Sequence, residues 1–140
     1  MTLKGVHHAA IATHDMDLLT DFYTRVIGFQ QHPEKSNWLH TGHGFSLHLM
    51  PSDRERAPYD PSRHIAFEVE SLNECARYLL DQGQRPYQLS NEQKRVEVKS
   101  AEGPLDAGIG TLFLDDPEDN TIEFVERGRG ILAEYDDGFA

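Results

Sequence analysis

One feature constrains this chain more than any other: a stretch near its start comes back half-way along. Residues 8–28 read HAAIATHDMDLLTDFYTRVIG, and residues 64–83 read HIAFEVESLNECARYLLDQG. Each copy opens on a histidine and runs through six mostly apolar residues. Each then meets a helix-capping side chain seven positions after its histidine (Asp15, Ser71) and closes an amphipathic stretch with a glycine (Gly28, Gly83). That pattern is a strand followed by a helix, used twice, and an internal repeat dictates the fold. The copies start 56 residues apart in a chain of 140. Two modules of that size are halves of one domain, not independent domains. The expected organisation is a single domain over residues 1–140, with module one at 4–50, a linker at 51–63, module two at 64–126 and a tail at 127–140.

Taken in order, residues 6–13 form a strand in which His8, Ala10 and Ala12 share one face. The helix after Asp15 carries Leu18, Leu19, Phe22, Tyr23, Val26 and Ile27 at helical spacing. Strands are expected near 29–33, 37–41 and 45–50, the last with Ser46, His48 and Met50 on one face. The linker PSDRERAPYDPSR is polar and holds three prolines. In module two, residues 64–69 restart the pattern, and Ser71 with Glu74 makes a capping box for a helix bearing Leu72, Cys75, Ala76, Leu79 and Leu80. Strands follow near 85–89, 111–114 and 121–126, while 90–110 reads mainly as a loop with a short extended piece at 96–98. The fold class is therefore α+β: two tandem βαβββ modules whose helices cover one sheet face. The other face, lined by Ala10, Ala12, Ala66 and histidines, is a poor core and a good cavity wall.

Composition sets the function classes aside. The formal charge of −11 disfavours nucleic acid and anionic membrane as partners. No apolar run is long enough to span a bilayer, and the opening MTLKGVHH lacks the apolar core of a signal peptide, so a cytoplasmic protein is expected. The single cysteine, Cys75, excludes an intramolecular disulfide and falls mid-helix as a small buried hydrophobe.

Four polar residues occupy matching places: His8 and His48 on the first and last strands of module one, His64 and Glu123 on those of module two. Each lies on the face away from the helices. If a pseudo-twofold relates the modules, the four converge, and imidazoles with one carboxylate suit Zn, Fe, Ni, Co or Mn. A lone strand histidine is more often a hydrogen-bonded core or surface residue than a ligand, so the case rests on the joint placement. His48 is its weakest member, because His8, His64 and Glu123 already complete a three-ligand site. His7, His14, His32, His40 and His43 read as incidental, Glu68 as a solvated acid, Tyr23 as helix core, and Lys94 and Arg127 as exposed charges.

At these residues the chain resembles the vicinal oxygen chelate superfamily, which includes glyoxalase I, methylmalonyl-CoA epimerase, fosfomycin-resistance enzymes, extradiol dioxygenases and bleomycin-resistance proteins. The resemblance is carried by VHHAAIATHDMDLLTDFYTRVIGF, FSLHLM, RHIAFEV and LFLDDPEDNTIEF, covering most of residues 5–126. It implies βαβββ repeats curled into a mixed-sheet cleft around a divalent metal held by His8, His48, His64 and Glu123. Departures exist. The glyoxalase I pattern has glutamate, and the epimerase pattern typically glutamine, where this chain has His48. The usual DPDGN turn is here Asp116-Pro117-Glu118-Asp119-Asn120.

Three functions follow. The first is a metal-dependent lyase or isomerase acting on a small oxygenated substrate that chelates the metal, with Glu123 as the catalytic proton carrier. The second is an Fe(II) dioxygenase using His8, His64 and Glu123. The third is a non-catalytic binder of a small molecule such as an antibiotic. Relatives of this length often dimerise, and a homodimer is expected on that resemblance alone.

Overall fold

The structure, a computed structural model, describes residues 1–135. Its contacts divide the chain into two units, Met1–Pro58 with Asp116–Glu118, and Tyr59–Asp115 with the residues from Asp119 onward.

The first unit holds β1 (His8–Thr13), α1 (Met16–Asp21), β2 (Gln30–His32), β3 (Lys35–His40) and β4 (Ser46–Pro51). Its sheet runs β1-β4-β3-β2, with β1 parallel to β4 and the other pairs antiparallel. The Asp15 carboxylate caps α1 by accepting from the Leu18 amide at 3.0 Å, satisfying a donor that has no partner within the helix. The helix does not stay α. Residues Phe22–Val26 widen into a π-turn, where the Ile27 amide donates to Phe22 O at 3.1 Å. Thr24 lies in this turn, and its hydroxyl bonds back to Thr20 O at 2.7 Å. Such back-bonding competes with the backbone ladder. Leu19, Phe22, Tyr23 and Val26 are buried as the spacing requires, but Leu18 is 41% exposed and does not belong to the core face.

The second unit holds β5 (His64–Val69), α2 (Leu72–Asp81), β6 (Tyr87–Leu89), β7 (Arg95–Glu97), β8 (Leu112–Asp115) and β9 (Thr121–Glu126). The sheet order is β5-β9-β8-β6-β7, with β5 parallel to β9. It has one strand more than the βαβββ expectation. The extended piece near residue 96 pairs with β6 as a hairpin, Gln88 opposite Val96. Ser71 caps α2 by accepting from the Glu74 amide at 3.2 Å. Leu72, Ala76 and Leu79 are buried, the two leucines contributing about 1.5–3 kcal/mol each.

The repeat seen in sequence is a repeat of register. In the first unit Ala10 lies opposite His48, and in the second Ala66 lies opposite Glu123. His8 and His64 each stand two residues before that alanine, on the same face. Along both β1 and β5 this face is the more exposed: His8, Ala10 and Ala12 in one, His64, Ala66 and Glu68 in the other. The architecture is α+β, with sheets of four and five strands and few helices. Among the described residues no helix is long and apolar enough to cross a membrane.

Candidate functional site

In the second unit the parallel pairing of β5 and β9 carries His64 and Glu123 onto one face, and their side chains meet. His64 Nε2 lies 2.9 Å from Glu123 Oε2. The histidine is part-exposed and the carboxylate buried, with side-chain exposures of 30% and 9%. The other ring nitrogen, Nδ1, lies 2.7 Å from the carbonyl of Pro61. A carbonyl only accepts, so Nδ1 carries a proton. Nε2 faces a carboxylate oxygen. Two such atoms so close need a shared proton or a metal ion between them. The separation also matches two neighbouring donors on one ion with bonds of about 2.1 Å. A carbonyl that fixes the tautomer is the usual support of a ligating histidine. The pair therefore fits a divalent metal.

Both side chains line a cavity of about 470 Å³ in the second unit. The register β9-β8-β6 sets Glu123 opposite Phe113 and Phe113 opposite Tyr87. The Phe113 ring stands edge-on to His64, with centroids 5.8 Å apart, and stacks on Tyr87 at 5.7 Å. Leu89, Ile109, Val125 and Ile131 add apolar wall, and Thr111 and Arg129 add polar groups. Thr111 Oγ1 is buried with no hydrogen-bond partner among the described residues.

The first unit treats its two predicted ligands differently. His8 and His48 have ring centroids 6.4 Å apart. Trp38 contacts both, stacked on His48 at 4.1 Å and edge-on to His8 at 4.8 Å. His48 Nε2 is 3.1 Å from the Asn37 amide nitrogen, a donor, so this lone pair is already engaged. His8 Nδ1 lies 2.8 Å from His7 Nδ1. Among the described residues, no group of three or more histidine, cysteine, aspartate or glutamate side chains is gathered to hold an ion.

His14, which reads as incidental in the sequence, and several polar groups it does not single out are firmly placed. Glu118 is buried and accepts from the Thr13 hydroxyl at 2.5 Å, the His14 amide at 2.7 Å and His14 Nδ1 at 3.0 Å. Arg56 approaches it at 3.4 Å. Burial raises the Glu118 pKa, but the hydrogen bonds from Thr13, His14 and Asp15 outweigh it, and the net shift is downward. His14 Nε2 also meets the Arg54 carbonyl. The Tyr23 hydroxyl donates to buried Asp116 at 2.8 Å. Burial first, then the Asp116 charge and this bond, hold its pKa well above the ordinary tyrosine value. In the second unit the Arg95 guanidinium lies over the rings of Tyr59 and Tyr87, at 4.1 and 4.2 Å, and pairs with Asp115 at 2.5 Å. Arg127, read as an exposed charge, pairs with Glu68 at 2.9 Å. No sequence motif announced these contacts, because most join residues far apart in the chain.

Residues 5–124 match the family model of the Glyoxalase/Bleomycin resistance protein/Dioxygenase superfamily, and the chain belongs to that superfamily. A curated relative, Glyoxylase I 4 of Arabidopsis thaliana, is 26% identical over 133 residues, covering 86% of this chain and 70% of its own. The fold is shared with solved structures. The oxidase ChaP-H2 superposes with a TM-score of 0.63 at 19% identity, over 91% of this chain and 95% of its own. TnmS3, an antibiotic binding protein from Streptomyces sp. CB03234, superposes with a TM-score of 0.61 at 19% identity, over 90% and 98%.

Proposed function

We propose that this protein is a metal-dependent enzyme of lyase or isomerase type, acting on a small oxygenated substrate through adjacent oxygens. The observation that carries the reading is the His64–Glu123 pair: an imidazole nitrogen and a carboxylate oxygen 2.9 Å apart on the wall of a cavity. His64 and Glu123 are the kernel of the ligand set. His8 and His48 are its proposed remaining members, from their matching register and the superfamily resemblance. His48 is the least committed, since Asn37 already engages its Nε2. The ion is Zn, Fe, Ni, Co or Mn, and when bound it supplies Lewis acidity to substrate oxygens. The rest falls to the chain. Pro61 O fixes the His64 tautomer and ring plane. Glu123, loosened from the metal, would take a proton from one substrate carbon or oxygen and return it to another. The apolar wall around Phe113 excludes water. The working form is proposed as a cytoplasmic homodimer.

A second reading has its own support. Trp38 stands against both His8 and His48, an arrangement suited to stacking a ligand without turnover, and the antibiotic-binding neighbour shares the fold. An Fe(II) dioxygenase using His8, His64 and Glu123 is the third. Elemental analysis of protein purified without added metal or chelator, beside His64→Ala, separates them. Near-stoichiometric metal that the variant loses supports the enzyme. Iron with activity lost in air turns it toward the dioxygenase. Wild type that arrives metal-free and takes up none on titration overturns the metal reading and leaves the binder.

A further inference from the structure

The segment after β9 reads Arg127-Gly128-Arg129-Gly130, and its two arginines have opposite fates. Arg127 points to a partner, the Glu68 carboxylate. Arg129 lines the cavity that His64 and Glu123 share. The backbone that sends it there is built from glycine. Gly128 and Gly130 on either side have φ of +83° and +79°, a region costly for other residues, and the Arg129 amide closes a turn on Glu126 O at 3.0 Å. The guanidinium is seated with care. A Cβ on Gly110 would lie 3.2 Å from its Nη2, so a side chain there would press on the guanidinium and shift it by a few tenths of an ångström. Among the described residues the guanidinium donates to the Leu105 carbonyl.

Among the described residues it has no carboxylate partner. The chain carries 24 acidic residues against 13 basic, and most of the other arginines that make close contacts have found an acid. Arg25, Arg56, Arg63, Arg77, Arg95 and Arg127 all do. Arg129 is half-buried and has no acidic partner among the described residues. A guanidinium withdrawn from water needs compensation, and it presents five N–H donors in a fork matched to a carboxylate. The cavity wall beside it supplies Leu89, Ile109, Phe113, Val125 and Ile131.

We infer that the cavity takes a small organic carboxylate whose apolar body lies along this wall and whose acid group is bound by Arg129. The inference deepens the reading of the same cavity as a substrate site and names the substrate class. Arg129 is then the specificity residue, separate from the proposed metal ligands.

The test uses full-length protein treated with chelator, so that a carboxylate cannot bind through a metal. A set of aliphatic and aromatic monocarboxylates, each beside its primary amide, is titrated calorimetrically into wild type, Arg129→Met and Arg129→Lys. Thermal melts check that the variants fold. At least one acid is expected to bind wild type about tenfold or more tightly than its amide. That preference should vanish in Arg129→Met and fall to a few-fold in Arg129→Lys, which keeps the charge and loses the fork. Acids and amides binding alike, no acid binding at all, or a preference that survives in folded Arg129→Met overturns the inference. Nickel titration of wild type, Arg129→Met and His64→Ala keeps the two readings apart. Metal uptake by the first two with no carboxylate preference sinks only the carboxylate. A preference with no metal uptake sinks only the metal.

Discussion

Replacing Glu118 with glutamine keeps shape and removes charge. The carboxylate is almost fully buried, with 2% side-chain exposure. One oxygen takes the Thr13 hydroxyl and the Asp15 amide, at 2.5 and 3.4 Å; the other takes the His14 amide and His14 Nδ1, at 2.7 and 3.0 Å. Glutamine retains one oxygen and turns an NH₂ toward donors on the other side, so one short bond is lost and its donor left unmet. Hydrogen bonds to charged groups contribute about 1.5–3 kcal/mol, and an unmet buried donor costs about 1–3 kcal/mol. Arg56 is half-exposed and adds little. The expected loss is about 3 kcal/mol at pH 7, or roughly 10 °C in Tm for a chain of this size. The pH dependence has a fixed sign. The folded pKa lies below the unfolded one, so the contribution is complete above about pH 5, beyond the unfolded value near 4.3. It fades as pH falls through the folded value. Urea unfolding of wild type and Glu118→Gln at pH 7 and at successively lower pH measures the gap. A gap under about 0.5 kcal/mol at pH 7, or one that widens on acidification, refutes the reasoning.

Three further outcomes are expected. Tyr23→Phe removes the donor to buried Asp116 and should cost about 1–3 kcal/mol in chemical denaturation. Gly108→Ala would place a Cβ 2.0 Å from Leu89 O at a φ of +58°. It should lower Tm by roughly 10 °C or more, or abolish soluble expression, because backbone meets backbone and neither side can yield. The Cys75 thiol, pushed up to about 11 by burial, should resist a thiol-specific reagent at neutral pH and react fully once the chain is unfolded in denaturant.

The meeting of His64 with Glu123 was legible because strand geometry is periodic. Histidine at the start of β5 and glutamate in β9 share a face by alternation alone, and parallel pairing brings them together. The same alternation placed His8 and His48 on one face but was silent on Trp38, which stands against both, and on Asn37, which reaches His48 from β3. The widening of α1 was hidden because a Phe-Tyr-Thr-Arg-Val run at helical spacing fits an α-turn equally well. The hairpin of β6 and β7 was obscured by the charged residues between them, whose turn uses Gln93 at a φ of +61°. Arg129 had no signature. A Gly-Arg-Gly tail is ordinary sequence until the strands it folds against are known.

The segment Asp116–Glu118 belongs by its contacts to the first unit, although the chain reaches it only after most of the second has been made. Thr13 and Glu118 are 105 residues apart, and Tyr23 and Asp116 are 93. On a ribosome, the first sheet would therefore emerge with the Tyr23 hydroxyl and the Thr13 and His14 donors waiting for acceptors still to be synthesised. The two halves look like successive copies, but they cannot mature in succession: the first is finished by three residues from the late part of the chain. Folding should consequently be a late, concerted event with slow, high-separation closure. Any experiment that expresses residues 1–58 alone should yield a collapsed chain without fixed tertiary structure.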